Sequence, residues 1–185
     1  MNKRKVLRVA APLIIVVAIV GIWAFKNAVE STEEAPQPGQ SGTEIVLTEE
    51  EQDDFALDVS ALDLEKLTSY GLPIVIDFGA GWCSPCKQFA PILEAMHDEM
   101  LGKAIIKYVD TEDNADIAAD FPISVIPTQV FINPDGTPYA ASADLGVEFK
   151  TYTYKDSGAA AFTVHEGALT EEKLRAILIN MGASE

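Results

Sequence analysis

The sequence predicts an α/β domain with a mixed sheet, preceded by one amino-terminal transmembrane helix. From Phe55 onwards strand patterns alternate with helix patterns and end in a hairpin, which is typical of a parallel sheet with one antiparallel edge. Charge is unevenly divided: the first 26 residues hold five basic residues and no acid, whereas the remainder holds 8 basic and all 29 acidic residues. The chain therefore combines an anchor-like part with an acidic globular part.

Composition excludes several classes of protein. Hydrophobic residues make up 48% of the 185 residues, which excludes a disordered or collagen-like chain. Two cysteines are too few for a disulfide-dense scaffold. The net charge of −16 argues against nucleic-acid binding, because that needs cationic surface.

The amino-terminal part reads as a signal-anchor. Residues 9–25 carry no charge and would form about 25 Å of helix, the short end of a bilayer span. The basic residues 1–8 predict a cytoplasmic tail. A cleaved secretory signal peptide is the alternative, although no convincing small-residue cleavage site follows. Either reading exports the rest of the chain, and with the favoured anchor we expect a single-pass cell-membrane protein with its domain on the extracytoplasmic side.

Residues 26–54 are predicted to be an acidic flexible tether, because they are rich in Glu, Pro, Gln, Ser and Gly and could not bury enough apolar surface to order themselves. The domain then spans residues 55–185. Its first strand is expected at Phe55–Val59, and Ser60 is expected to cap the first helix, which Gly71–Pro73 ends.

The remaining elements follow from hydrophobic periodicity. The apolar run at 73–78 is typical of a central strand covered on both faces. Predicted helices after it are 84–101, 114–119 and 171–181, and predicted strands are 104–109, 128–132 and 160–165. Residues 139–159 form a long insertion, read as an extended β-hairpin because 147–154 alternates like a strand. A partner-docking role for this insertion is the alternative.

Both cysteines lie in the segment Trp82-Cys-Ser-Pro-Cys-Lys87, between a buried strand and a helix. The free N–H groups and dipole of a helix start stabilise an anion, which favours a thiolate at Cys83. Pro85 suits the first helical turn. Redox exchange is the favoured use of this pair. A structural disulfide, unused cysteines, or a zinc site completed by His97 and His165 are the alternatives.

The stretch from Asp77 to Leu93, DFGAGWCSPCKQFAPIL, resembles the active-site segment of the thioredoxin family, and the resemblance extends over about 55–181. It implies a thioredoxin-like three-layer α/β/α fold. It further implies that Cys83 is the nucleophile and Cys86 the resolving cysteine of a redox disulfide. Asp77 would be the buried proton relay beneath them.

Other positions match the family individually. The proline that supports the active-site helix corresponds to Pro91, and the cis proline facing the disulfide corresponds to Pro127. The resemblance places Trp82, Ile126, Pro127 and Gly167 at the substrate groove. It implies neither a metal nor a cofactor.

Two positions depart from the family pattern. Gly79 stands where a second tryptophan is usual, so one wall of the site is open or filled from elsewhere. The lysine often found near the buried acid has no clean counterpart, because Lys107 lies one residue out of register and should face the opposite side of the sheet.

The resemblance implies a thiol–disulfide oxidoreductase, and reduction is favoured over oxidation. Expected partners are exported proteins with disulfides and a membrane dithiol electron carrier of the CcdA/DsbD type. A disulfide-forming oxidase and a non-catalytic thioredoxin-fold adaptor are the alternatives.

Overall fold

The protein was analysed as a computed structural model that describes residues 48–184. Its helices are α1 (Glu49–Phe55), α2 (Leu64–Ser69), α3 (Ser84–Glu99), α4 (Ala115–Ala119) and α5 (Glu171–Asn180). Its strands are β1 (Ile74–Gly79), β2 (Ile105–Asp110), β3 (Thr128–Ile132), β4 (Lys150–Thr153) and β5 (Ala160–Glu166). The predicted cytoplasmic tail, the transmembrane signal-anchor and the tether up to residue 47 lie outside the described residues. Within 48–184, every helix is too short or too polar to cross a bilayer.

The strands form one mixed sheet in the order β2-β1-β3-β5-β4. Only β1 and β2 run parallel, and each of the other neighbouring pairs is antiparallel. All six residues of β1 are buried, as the continuous apolar run predicts for a strand covered on both faces. The mixed sheet expected from the sequence is therefore confirmed.

Two hydrophobic clusters cover the two faces of this sheet. Val75 of β1 packs on one face with Phe89 of α3 and Leu174 of α5. Ile74 and Ile76 point the other way and pack with residues of α1, α2 and the segment after α4, among them Phe55, Leu67 and Phe121. Since alternate residues of a strand face opposite sides, the result is the three-layer α/β/α arrangement that the sequence predicts.

The start of the domain differs from the prediction. Residues 49–55 form α1, so the predicted tether is helical at its end and Phe55 closes a helix instead of opening a strand. Only Asp58 makes a strand-like bridge, to Tyr108. The cap of α2 is Asp63, whose Oδ1 accepts from Lys66 N at 3.0 Å, and not Ser60. Phe55 stacks edge-on against Tyr70, and this contact favours the helical arrangement.

The insertion at 139–159 adds the outermost strand. It passes through a short 3₁₀ turn at Ala143–Leu145 and then forms β4, which is shorter than the predicted 147–154. β4 pairs with β5 as an antiparallel hairpin. Phe149 precedes β4 and is not part of it. Its ring packs edge-on against Phe131 in the core beside α3 and α5.

Candidate functional site

The two cysteines lie where β1 gives way to α3. Cys83 is the N-cap of α3, and its sulfur is bonded to that of Cys86, one turn into the helix. The backbone N–H of Cys86 also donates to Cys83 Sγ at 3.2 Å. Pro85 occupies the first turn, as predicted, where its missing N–H costs nothing. The start of α3 therefore directs one of its free backbone donors at the Cys83 sulfur.

The loop that leads into β3 meets this disulfide. The Ile126–Pro127 peptide bond is cis, and the carbonyl oxygen of Ile126 lies 3.7 Å from Cys83 Sγ. The N–H of Gly167, just after β5, donates to the Pro127 carbonyl at 2.8 Å. The loop before β3 thus contacts the disulfide through Ile126, and Gly167 contacts that loop at Pro127.

An open groove of about 740 Å³ runs beside Cys83. Its rim is apolar and exposed: Trp82 is 66% accessible and Val125 is 50% accessible. Cys83 itself is only 4% accessible. The groove is lined by Trp82–Pro85, Thr111, Ala118, Ala119 and 123–126. Of the four residues expected at the substrate groove, Trp82 and Ile126 line this groove and Pro127 and Gly167 do not. Their roles in substrate binding stay a prediction.

Asp77 is not among the residues that line this groove. It is 2% accessible, and it shares a cavity of about 250 Å³ with Cys86 and Tyr108. Burial raises the pKa of Asp77 to about 7, although a hydrogen bond from Gln129 acts to lower it. A carboxyl with a pKa near neutrality that shares a cavity with Cys86 can exchange a proton with the thiol of that cysteine once the disulfide is reduced.

The ring of Tyr108 occupies the space beside Gly79, where the family usually carries a tryptophan side chain. A Cβ on Gly79 would stand 2.8 Å from Tyr108 Cε2, closer than two carbon atoms can pack. Burial, helped by the charges of Asp110 and Asp77, raises the pKa of Tyr108 to about 12, so the phenol stays neutral. The aromatic surface expected from a tryptophan on β1 comes instead from a tyrosine on β2.

Lys107 faces away from Asp77, as its register predicts. Ile76 pairs with Lys107 while Asp77 pairs with Tyr108, so the lysine lies on the other face of the sheet. Its Nζ donates to the carbonyls of Ala56 at 2.6 Å and Asp53 at 3.4 Å. Burial lowers the pKa of Lys107 to about 8, against the opposing charges of Asp54 and Asp53. The lysine therefore caps the end of α1 and takes no part in the proton chemistry of Asp77.

The four residues of the zinc alternative are not gathered into one site. His97 Nε2 bonds the Phe55 carbonyl at 2.7 Å, and His165 Nδ1 bonds the Glu148 carbonyl at 2.8 Å. The cysteines are bonded to each other. Pro91 lies inside α3, about two turns from its start, and its role in supporting that helix stays a prediction.

Two residues of the site, Gln129 and Tyr108, are not among those predicted from the sequence. Gln129 lies opposite Asp77 on β3, and Tyr108 lies opposite it on β2. The signal for Gln129 was a lone amide in an otherwise buried strand, since such a group needs a polar partner.

Comparisons with known proteins agree with this arrangement. Residues 58–146 match the thioredoxin family model. Mouse mitochondrial thioredoxin is 37% identical over 68 residues, which cover 37% of this chain and 41% of the mouse protein. Thioredoxin H4 of Arabidopsis thaliana is 37% identical over 75 residues, which cover 40% of this chain and 63% of the plant protein. The chain thus spans less than two thirds of the length of either relative.

Among solved structures, the X-ray structure of Fasciola hepatica thioredoxin is 31% identical, with a TM-score of 0.45, and the match covers 64% of this chain and 90% of that one. The matched family segment contains β1, the Cys83–Cys86 disulfide and the Pro127 loop. On the family match and the site it contains, this chain is a thioredoxin-family protein with a CxxC active-site disulfide.

Proposed function

We propose that this protein is a membrane-attached thiol–disulfide oxidoreductase that reduces disulfides of exported proteins. The observation that carries the proposal is the Cys83–Cys86 disulfide at the start of α3, beside an apolar groove and the Ile126 carbonyl. An extended substrate segment can lie in this groove with its backbone against Ile126 and its disulfide against Cys83.

The proposed reaction is two successive exchanges. The Cys83 thiolate attacks one sulfur of the substrate disulfide, and the other sulfur leaves as a thiolate that takes a proton from water. Cys86 then gives its proton to the Asp77 carboxylate and attacks Cys83 Sγ. The second substrate thiolate leaves and is protonated, so the protein dithiol is oxidised and the substrate gains two electrons and two protons. Asp77 returns its proton to solvent.

The helix start supports the first of these steps. A thiol of pKa about 8.5 is roughly 3% ionised at pH 7, whereas a thiol of pKa about 7 is about half ionised. Thiolate nucleophilicity falls with pKa, so the net gain in the rate of attack is only about threefold. A stabilised Cys83 thiolate is also a better leaving group when the mixed disulfide resolves.

The location and the electron source form the outer part of the proposal. The uncharged run at 9–25 and the basic residues before it support an anchor with the domain on the extracytoplasmic side. Electrons for a reductase outside the cytoplasm must cross the membrane as thiols, and a dithiol carrier of the CcdA/DsbD type would supply them. The same disulfide exchange in the reverse direction would reduce the Cys83–Cys86 disulfide again.

Trapping the mixed disulfide tests the reaction. The chain contains only two cysteines, so Cys86→Ala leaves Cys83 as the single thiol. We expect this variant to form covalent adducts with disulfide-containing proteins that dithiothreitol releases, and we expect Cys83→Ser/Cys86→Ala to form none. If the Cys83→Ser variant keeps the full activity of the unsubstituted protein, the non-catalytic adaptor would be supported instead.

The reduction potential decides the direction of transfer. A potential near −270 mV, about that of thioredoxin, would support the reductase, whereas one near −120 mV, about that of a dedicated oxidant, would support the oxidase. Orientation is tested by labelling the reduced cysteines in intact cells with a membrane-impermeant maleimide. Labelling only after lysis would overturn the extracytoplasmic location and leave the chemistry standing.

A further inference from the structure

Gln129 is a fully buried amide at the centre of the sheet. It lies in β3 between Asp77 of β1 and His165 of β5, and none of its surface is accessible. Phe131, the next residue of β3 on the same face, belongs to the hydrophobic core beside α3 and α5. An amide in such surroundings is costly unless its polar atoms are bonded.

Only half of this amide is bonded. Its Nε2 donates to Asp77 Oδ1 at 2.7 Å, whereas its Oε1 has no hydrogen-bond partner within residues 48–184. A methionine or leucine would fill similar volume and leave no acceptor unpaired. The bond to Asp77 is therefore the one polar interaction that a glutamine provides here and an apolar residue would not.

We propose that Gln129 is a positioning residue for proton transfer at Asp77: its amide fixes the carboxyl group and stabilises the carboxylate that accepts the Cys86 proton. The inference rests on the proposed oxidoreductase function. A donor 2.7 Å from a carboxylate oxygen stabilises the ionised form more than the protonated form. Burial acts in the opposite direction, and the amide limits its effect.

The other polar groups around Asp77 do not replace this bond. Cys86, Lys87 and Glu94 of α3 line the shared cavity, as do Tyr108 of β2 and Asp58 before α2. Tyr108 directs its hydroxyl to Asp110 Oδ2 at 3.5 Å, and His165 of β5 bonds the Glu148 carbonyl. Within residues 48–184, the side chain of Asp77 receives its hydrogen bond from Gln129 alone.

Infrared spectroscopy of the full-length oxidised protein tests the proposal without any activity assay. Above about pH 6 ordinary carboxyl groups are ionised, so the remaining carboxylic-acid band reports Asp77, and its loss in Asp77→Asn identifies it. We expect its midpoint near pH 7 in the unsubstituted protein. Gln129→Met should move that midpoint upwards by about one pH unit or more, because the carboxylate loses a charge-assisted hydrogen bond.

The matched control is Thr163→Val. Thr163 is also buried, lies opposite Phe131 on β5, and loses a side-chain bond to the Tyr139 carbonyl when substituted. Because its side-chain hydrogen bond goes to Tyr139 and not to Asp77, its substitution should leave the midpoint unchanged. In the unsubstituted protein, the side-chain ¹⁵N amide signals of Gln129 should titrate with the same midpoint as the band, a measurement that does not depend on any variant folding.

An unchanged midpoint in folded Gln129→Met, or amide signals that ignore the titration of Asp77, would overturn the positioning role. The pH profile of disulfide reduction separates this outcome from failure of the proposed function. We expect Gln129→Met to shift the profile in the same direction as the band, and expect no further shift when it is added to Asp77→Asn. A protein that reduces no disulfide at any pH refutes the oxidoreductase, whereas the infrared midpoints still decide whether Gln129 controls Asp77.

Discussion

Asp77→Asn should stabilise the domain, and the gain should grow with pH. The pKa of Asp77 rises on folding from 3.8 to about 7 because burial disfavours the charge. Three units of difference correspond to about 4 kcal/mol of native-state stability that the unsubstituted protein lacks above pH 7. Asparagine has nearly the same shape and cannot ionise, so it avoids this cost.

The direction of the pH dependence follows from proton binding. Below pH 3.8 the carboxyl is protonated in both the folded and the unfolded chain, and linkage adds nothing to the variant. Between pH 4 and 7 only the unfolded chain releases the proton, so the unsubstituted protein loses stability progressively. Above pH 7 the difference between the two proteins becomes constant.

Urea unfolding of the full-length oxidised proteins at pH 4, 5.5 and 8, followed by circular dichroism, measures this difference. Asp54→Asn is a control of opposite sign. Burial acts to raise the pKa of Asp54, but bonds from Lys66 and Tyr70 outweigh it and the pKa is lowered. That variant should lose stability above pH 4. A stability difference for Asp77→Asn that is the same at all three pH values would refute the reasoning.

Three further substitutions test the packing around the site. Gly79→Ala should lower the free energy of unfolding in urea by about 1–3 kcal/mol, because its Cβ would meet the Tyr108 ring. Gly81→Ala is the control and should be nearly neutral, because a Cβ there meets nothing within 4 Å. Equal effects of the two substitutions would contradict the contact with Tyr108. Lys107→Met should speed amide hydrogen exchange in α1 by tenfold or more. The reason is that carbonyls at the end of that helix lose a charged hydrogen-bond donor worth about 1–3 kcal/mol. Unchanged exchange would show that Lys107 does not stabilise α1. Phe131→Ala should cost about 3–5 kcal/mol of unfolding free energy, because it empties a fully buried site, and a loss below 1 kcal/mol would contradict its place in the core.

Local patterns were enough to predict the central strands and the disulfide segment. The apolar run of β1 and the two cysteines at the next helix start are contiguous in sequence, so their roles can be read without knowing the fold. The first helix cap was harder, because Ser60 and Asp63 are both good capping residues three positions apart. The local pattern predicts a strand at Phe55, because the Tyr70 contact that accompanies its place at the end of α1 is a tertiary contact and is not visible in the sequence.

The surroundings of Asp77 depend on strand pairing that the sequence does not display. Gln129 of β3 and Tyr108 of β2 lie opposite Asp77 in the sheet, although they are 52 and 31 positions away from it in the chain. Their identity becomes meaningful only when the register of three strands is known. The same register explains why Lys107, adjacent to Tyr108, has no access to Asp77.

If the domain is held through the segment before residue 48, as we propose, the capping of α1 has a mechanical consequence. His97, near the end of α3, bonds the carbonyl of Phe55, the last residue of α1. Lys107 of β2 donates to the carbonyl of Ala56, the residue that follows. Force arriving through the segment before residue 48 would therefore be borne by the edge strand and the far end of α3, about 20 Å along the helix from Cys83. In that proposed arrangement the sulfurs of Cys83 and Cys86 would lie outside the path of the force.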